Sequence, residues 1–288
     1  MIRDPFTINK AKIRELDFAL INRNFKKRKG ELRYLGLPAS TLVELITWND
    51  WFSHFSAIER GKSGQEFVEQ HNLMLTALLH NISDKLLLLR GEMDDILNNG
   101  KDQFNNYVPY PFDVISLDYS GGLVYKDKAG RSKRTQSISN LLARQADHNK
   151  DFLLFISTNF DYVDEGEIER VLKDINRELE KMGVRAQSTL EPLLRYRSDG
   201  AQLKVYVPYI IKSLTAQSYK CEFNKPVFYF GNRDTRMVHF AFWLRRTSNY
   251  LAGKPNLSDM VEILNLPAFI CKDGKLTETD FGIPRISL

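Results

Sequence analysis

Cysteine is scarce: Cys221 and Cys271 are the only two in the chain. Two thiols cannot complete a zinc site, and their spacing fits no metal motif, so they read as ordinary thiols of a reducing compartment. The expected location is therefore the cytoplasm. No apolar run approaches the roughly 18–20 residues that a membrane-spanning helix needs. The opening stretch MIRDPFTINKAKIREL is too polar and charged for a signal peptide. No repeat, low-complexity tract or Pro/Gly/Ser-rich linker divides the chain. Nor does the sequence offer a Walker loop, a zinc pattern or a Ser–His–Asp series. Glycine is thin where it would matter most. The first strand–turn–helix passage, ELRYLGLPASTLVEL at 31–45, holds one, Gly36, followed by Leu37 and Pro38.

What is present suits a globular α/β protein. The 288 residues are 43% apolar and 27% charged, enough for one large domain or two small ones. The balance is mildly basic, with a formal net charge of +5. Six basic side chains fall within NRNFKKRKGELR at 22–33. That cluster admits two readings, a solvated face or a phosphate-contacting patch formed by Arg23, Lys26, Lys27, Arg28 and Lys29.

Along the chain, strand and helix patterns alternate. Ile13, Leu16 and Leu20 predict a helix over 9–24. A strand follows at 31–36, and then a helix capped by Ser40 or Thr41 with Leu42, Leu45 and Ile46 on its apolar side. HFSAIERG at 54–61 reads as a strand that ends on Glu59. The next helix carries Phe67, Met74, Leu75, Leu78 and Ile82 on one side. KLLLLRGEM at 85–93 suits a strand buried on both faces. Phe112 to Leu117 form another strand with Asp118 at its end, and a helix covers 134–147. DFLLFIST at 151–158 is the fifth strand, and the helix 165–183 shows one stripe through Ile168, Val171, Leu172, Ile175, Leu179 and Met182. KPVFYFGNRDTRMVHFAFWLRR at 225–246 reads as a hairpin turning at 231–235. AQLKVYVPYIIKSL fits helix or strand, and Pro208 argues against an uninterrupted version of either. Alternation of this kind predicts a mostly parallel sheet with helices on both faces and a terminal antiparallel hairpin.

With its landmarks in this order, the chain resembles the class I S-adenosylmethionine-dependent methyltransferases over about 31–246. That Rossmann-like family has a seven-stranded sheet whose last strand is antiparallel. The resemblance implies a cofactor turn at Tyr34, Gly36, Leu37 and Pro38. It implies a ribose-binding carboxylate at Glu59, 23 residues after Gly36, beside Arg60, since a carboxylate accepts both hydroxyl protons. It places Gly91, Glu92 and Met93 on the adenine side. FDVISLDYSGGL resembles the substrate-facing motif of tRNA guanine-N2 dimethyltransferases, with Asp118 as the aspartate and Tyr119 in the place of proline. The Asp-Pro-Pro-Tyr tetrads of adenine-N6 and cytosine-N4 enzymes are absent. The first motif has one glycine where the family has two or three, and Pro38 removes an N–H.

Each of these residues also has a plainer reading. Glu59 could pair with Arg60 or a lysine, Asp118 could hold a turn, and Glu92 could cap the helix at 94–97. His71 and His80 lie on opposite faces of one helix and cannot share a metal. His239 reads as a core or ligand-edge residue. Phe25, Tyr196 and Phe230 lie near basic groups and read as core or as stacking platforms. The polar turn of Asn232, Arg233, Asp234 and Arg236 reads as a phosphate grip or a solvated tip.

The expected organisation is a basic helical extension (1–30), a methyltransferase-like domain (31–246) and a C-terminal extension (247–288). The expected function is S-adenosylmethionine-dependent methyl transfer on, or binding to, nucleic acid. Asp118 would orient the acceptor and Tyr119 would stack on the base. The alternative is a catalytically degenerate methyltransferase fold acting as a scaffold for protein partners, with MVEILNLPAFI at 260–270 as a docking surface.

Overall fold

The computed structural model describes residues 8–38, 42–59, 66–119, 121–123, 133–160, 164–181, 183, 190–191, 193, 200–231, 235–247 and 255–283. Among the described residues ten strands form one sheet. They are β1 (Leu32–Gly36), β2 (Phe52–Glu59), β3 (Leu86–Arg90), β4 (Val114–Tyr119), β5 (Phe152–Asn159), β6 (Tyr219–Phe223), β7 (Val227–Phe230), β8 (Arg236–Arg246), β9 (Ala268–Lys272) and β10 (Lys275–Thr279). The helices are α1 (Ile8–Phe25), α2 (Val43–Thr47), α3 (Glu66–Leu79), α4 (Met93–Asn99), α5 (Lys133–Ala146), α6 (Glu165–Lys181), α7 (Leu203–Thr215) and α8 (Leu257–Asn265).

The order across the sheet is β10-β9-β7-β8-β5-β4-β1-β2-β3, with β6 also paired to β8. Strands β3, β2, β1, β4 and β5 are parallel, and β8 runs antiparallel to β5. The order reverses between β1 and β4, which is where open α/β sheets open a crevice for ligands. The eleven residues of β8 exceed either neighbour, so β7 pairs with its first part and β6 with its last.

Alternation along the strands sorts side chains onto two faces. Leu32, Tyr34, Phe55, Val114, Leu153 and Phe155 pack with α1, α2 and α3. Leu35, Ile115, Leu117, Leu154 and Ile156 pack with α4 to α8. Coverage on both sides explains why β5 is buried almost throughout. Strand β3, expected to be buried on both faces, is only half-buried because it is the edge of the sheet.

Several helices depart from their apolar patterns. The buried line of α1 is Asn9, Ile13, Asp17, Ile21 and Phe25, spaced by four, while Leu16 and Leu20 are only partly buried. In α3 the inward residues are Gln70, Leu73 and Ala77, whereas Leu75 and Leu78 are exposed. The side chain of Phe67 lies outside the described residues. Helix α2 begins at Leu42, which has φ 49° and no side-chain cap. The expected caps, Ser40 and Thr41, fall outside the described residues, as does Met182.

The ambiguous segment is helical: α7 runs through Pro208, which sits among buried residues on both sides. A proline forfeits one backbone bond, and burial of Leu203, Val205, Tyr206, Val207 and Ile211 outweighs it here. The stretch 260–270 is no open docking surface, because Met260, Val261, Ile263, Leu264 and Ala268 are buried in the main core. Strand β9 lies parallel to β7 and carries β10 as its hairpin partner. Among the described residues no helix is long and apolar enough to cross a membrane.

Lys204 is fully buried and donates to the Leu264 carbonyl at the end of α8, at 2.8 Å. Burial pushes its pKa down to about 8, against about 10.4 in an unfolded chain. Between those values folding releases a proton, so rising pH favours the folded state. The native protein should therefore gain roughly 2–3 kcal/mol of stability relative to Lys204→Met between about pH 7 and pH 10, read from urea unfolding at each pH.

Candidate active site

The C-terminal ends of β1 and β4 lie side by side, with Gly36 opposite Ser116. A small cavity with a free volume of about 50 Å³ opens at this point. Its floor is Tyr34, Ser116, Asp118 and Ser157, and its roof is Lys10, Ile13, Arg14 and Asp17 from α1. Those four α1 residues follow the i, i+3, i+4, i+7 spacing of one helix face. Glu44 of α2 and His239 and Tyr229 of the antiparallel strands complete the wall.

Most of these groups are paired. Lys10 Nζ lies 3.4 Å from Asp118 Oδ2, and Arg14 Nε lies 2.5 Å from Glu44 Oε1. At the base, Asp17 Oδ1 is 2.8 Å from His239 Nε2, while His239 Nδ1 is 2.9 Å from Ser157 Oγ. Asp17 and His239 are buried, and Ser157 is half-buried at the cavity wall. Burial pushes the Asp17 carboxyl above its ordinary range, and the imidazole beside it draws it back. Burial pushes the Tyr229 phenol up. An Asp–His–Ser chain of hydrogen bonds therefore exists here, although the sequence shows no such series. Its members come from α1, β8 and β5, and no linear spacing announces them. The one sequence signal was a histidine inside an apolar strand.

The turn after β1 answers to the chain itself. A Cβ on Gly36 would lie 2.6 Å from Cζ and 2.7 Å from Cε1 of Tyr34. The ring of Tyr34 thus fills the space that a loop glycine leaves beside a ligand. Burial and the Glu44 charge push its phenol well above the ordinary range. Leu37 lines the cavity, and Pro38 is buried.

On the other side of the switch point, Glu59 ends β2 and pairs in register with Arg90. The Gly91 N–H donates to the Glu59 carbonyl at 3.1 Å, and Gly91 has φ +137°, which favours glycine. Glu92 stands at the N-cap of α4 and makes no capping bond, and Met93 is buried in the core beneath it. Arg60 lies outside the described residues, as do Tyr196, Asn232, Arg233 and Asp234.

One expectation needs correction. Tyr119 does not share a face with Asp118. Its ring is buried among Leu117, Ile138 and Leu141, with the Arg134 guanidinium 4.9 Å above it, so it cannot stack on a base. The basic cluster does not join the cavity either. Arg28 reaches Asp113, just before β4, at 2.6 Å, whereas Lys10 reaches Asp118 near the end of that strand. The five positions from Asp113 to Asp118 set the two regions about 17 Å apart along the strand. Lys29 pairs with Asp50 at 3.9 Å, and Arg23, Lys26 and Lys27 are exposed at the far edge.

Residues 13–198 match the PP_RS20740-like family. The chain belongs to that family. No curated protein matches it. Among solved structures it is similar to an O-methyltransferase from Bacillus cereus in complex with SAH, at 14% identity and a TM-score of 0.43, covering 84% of each chain. It is similar also to an rRNA methylase from Streptococcus thermophilus, at 11% identity and a TM-score of 0.42, covering 85% of this chain and 99% of that one. The N-methyltransferase NodS from Bradyrhizobium japonicum is a third, at 11% identity and a TM-score of 0.42, covering 82% and 97%. Identities and scores this low say nothing of substrate. In this PP_RS20740-like protein the strand order and directions give a mostly parallel sheet that continues into an antiparallel hairpin.

Because Tyr34 occupies the space above Gly36, any side chain there overpacks the strand. Gly36→Ala should lower stability by about 1–3 kcal/mol in urea unfolding. Combined with Tyr34→Ala, which removes the ring, the second change should cost much less than it does alone.

Proposed function

We propose that this chain is an S-adenosylmethionine-dependent methyltransferase whose acceptor presents its reacting group to the cavity between β1 and β4. The observation that supports the reading best is the placement of Glu59, Gly91, Glu92 and Asp118 around the switch point of this sheet. The residues on the β2–β3 side fit the adenosine half of such a cofactor. Glu59 would accept from the ribose hydroxyls, and Gly91 and Glu92 would border the base. When bound, the cofactor supplies an electrophilic methyl group on a sulfonium. The chain's own task is to hold the acceptor in line with that methyl, and most of the rate of such a transfer comes from positioning. Asp118, held by Lys10, would orient the acceptor by taking a hydrogen bond from a second polar group beside the reacting one.

The acceptor's reacting group would enter the free space lined by Ser116, Asp118 and Ser157. Nucleic acid is one acceptor class in this reading. Its phosphates would reach the basic residues only at the opposite end of β4, about 17 Å from the reacting group.

A second reading has its own support. Tyr34 fills the glycine space on the methionine side, which suits a methyltransferase fold that no longer takes the cofactor and serves as a scaffold for protein partners.

Calorimetry with S-adenosylhomocysteine separates the two. The first reading expects micromolar binding that weakens roughly 10–100-fold in Glu59→Ala. Absence of heat with the native protein would leave the scaffold reading standing.

A further inference from the structure

The Asp17–His239–Ser157 chain is built from three elements, yet it ends at the wall of the cavity rather than in the core. A histidine that served only to anchor α1 would need one partner, Asp17. Here the second ring nitrogen is turned to a half-buried hydroxyl that faces the space between Ser116 and Asp118. Hydrogen-bond chemistry fixes what this arrangement can do. With Asp17 ionised, it accepts the proton on His239 Nε2, which leaves Nδ1 as an acceptor for the Ser157 O–H. Serine has two lone pairs besides its proton. Those lone pairs can accept from a donor entering the cavity.

We infer that Ser157, backed by His239 and positioned by Asp17, takes the proton from the methyl acceptor. The inference rests on the methyltransferase reading for what the proton loss serves. As the acceptor X–H gives its proton to Ser157 Oγ, Ser157 passes its own to His239 Nδ1. The electron pair freed on X forms the bond to the methyl carbon. The pair of the breaking carbon–sulfur bond stays on sulfur, which turns from sulfonium to thioether. His239 ends as an imidazolium beside the Asp17 carboxylate, and water later removes the proton. Such a relay helps an acceptor that must lose its proton to become nucleophilic. The substrate class is therefore a hydroxyl, a phenol or an amide-like ring N–H, and not a free amino group, whose lone pair needs no such help.

Two measurements test the relay without knowledge of the acceptor. In Ser157→Cys the relay should draw the thiol proton onto His239, so that iodoacetamide alkylates Cys at this position near pH 7 at least 10-fold faster than in Ser157→Cys/His239→Gln or Ser157→Cys/Asp17→Asn. The native Cys221 and Cys271 are buried, and peptide mapping separates them from the new site. Equal rates in all three proteins would overturn the relay. On the unsubstituted protein, nitrogen NMR of the histidine side chains should find His239 protonated on Nε2 and bare on Nδ1. A proton on Nδ1 means that the imidazole donates to Ser157, and the proposal falls. S-adenosylhomocysteine calorimetry on Ser157→Cys keeps the two readings apart. Binding with equal alkylation rates sinks the relay alone, whereas no binding sinks the methyl transfer that it would serve.

Discussion

One helix lying across the sheet sets the geometry of everything else at its C-terminal edge. The inward line of α1 mixes two polar residues with three apolar ones, and each polar residue has a fixed partner. Asn9 donates to the Phe230 carbonyl and accepts from the Gly274 N–H. Asp17 meets His239. Between and beyond them, Ile13, Ile21 and Phe25 bury apolar surface, with Phe25 edge-on to Trp243. Buried polar groups are costly unless partnered, so these contacts fix the helix in one register. A slide by a single residue would leave Asp17 and His239 facing apolar neighbours. The cavity exists because α1 is held at that height above β1, β4 and β5.

The two edges of the sheet do different electrostatic work. At the N-terminal edge Asp113 is fully buried and gathers Arg28, Lys150 and the Arg33 N–H, which joins the entry of β4 to the loop that leads into β1. At the C-terminal edge the charges are arranged in pairs around open space, Lys10 with Asp118 and Arg14 with Glu44. The first arrangement closes a joint between segments. The second leaves charged groups lining a crevice at the reversal of strand order, where a ligand would meet them.

Much of this fold was legible in the sequence. Strands β1, β2, β4 and β5, the helix α6 and the β7–β8 hairpin stand where periodicity put them, because each has one or two fully covered faces and an unambiguous apolar pattern. The failures share a cause, which is that burial was decided by a neighbour that composition does not show. Helix α3 exposes Leu75 and Leu78 because its docking line runs through Gln70, Leu73 and Ala77. Strand β3 is leucine-rich yet half-buried because it is an edge. The site was legible only in outline. Glu59, Glu92 and Asp118 fall at strand ends as their spacing suggests, but Tyr119 turns to the other face by simple alternation. The Asp17–His239–Ser157 chain joins pairs 222 and 82 positions apart, and only the assembled sheet brings them together.

The contact between Asn9 and Gly274 joins residues 265 positions apart in the chain. During synthesis the parallel strands β1 to β5 emerge early and can pair as they appear. Helix α1, made before these strands, has no partner for Asp17 until β8 is made and none for the Asn9 side-chain oxygen Oδ1 until the β9–β10 turn follows. The crevice is thus roofed last, by a segment made before any of its strands. A chain truncated before about residue 236 would keep most of the parallel sheet and have no closed cavity at all.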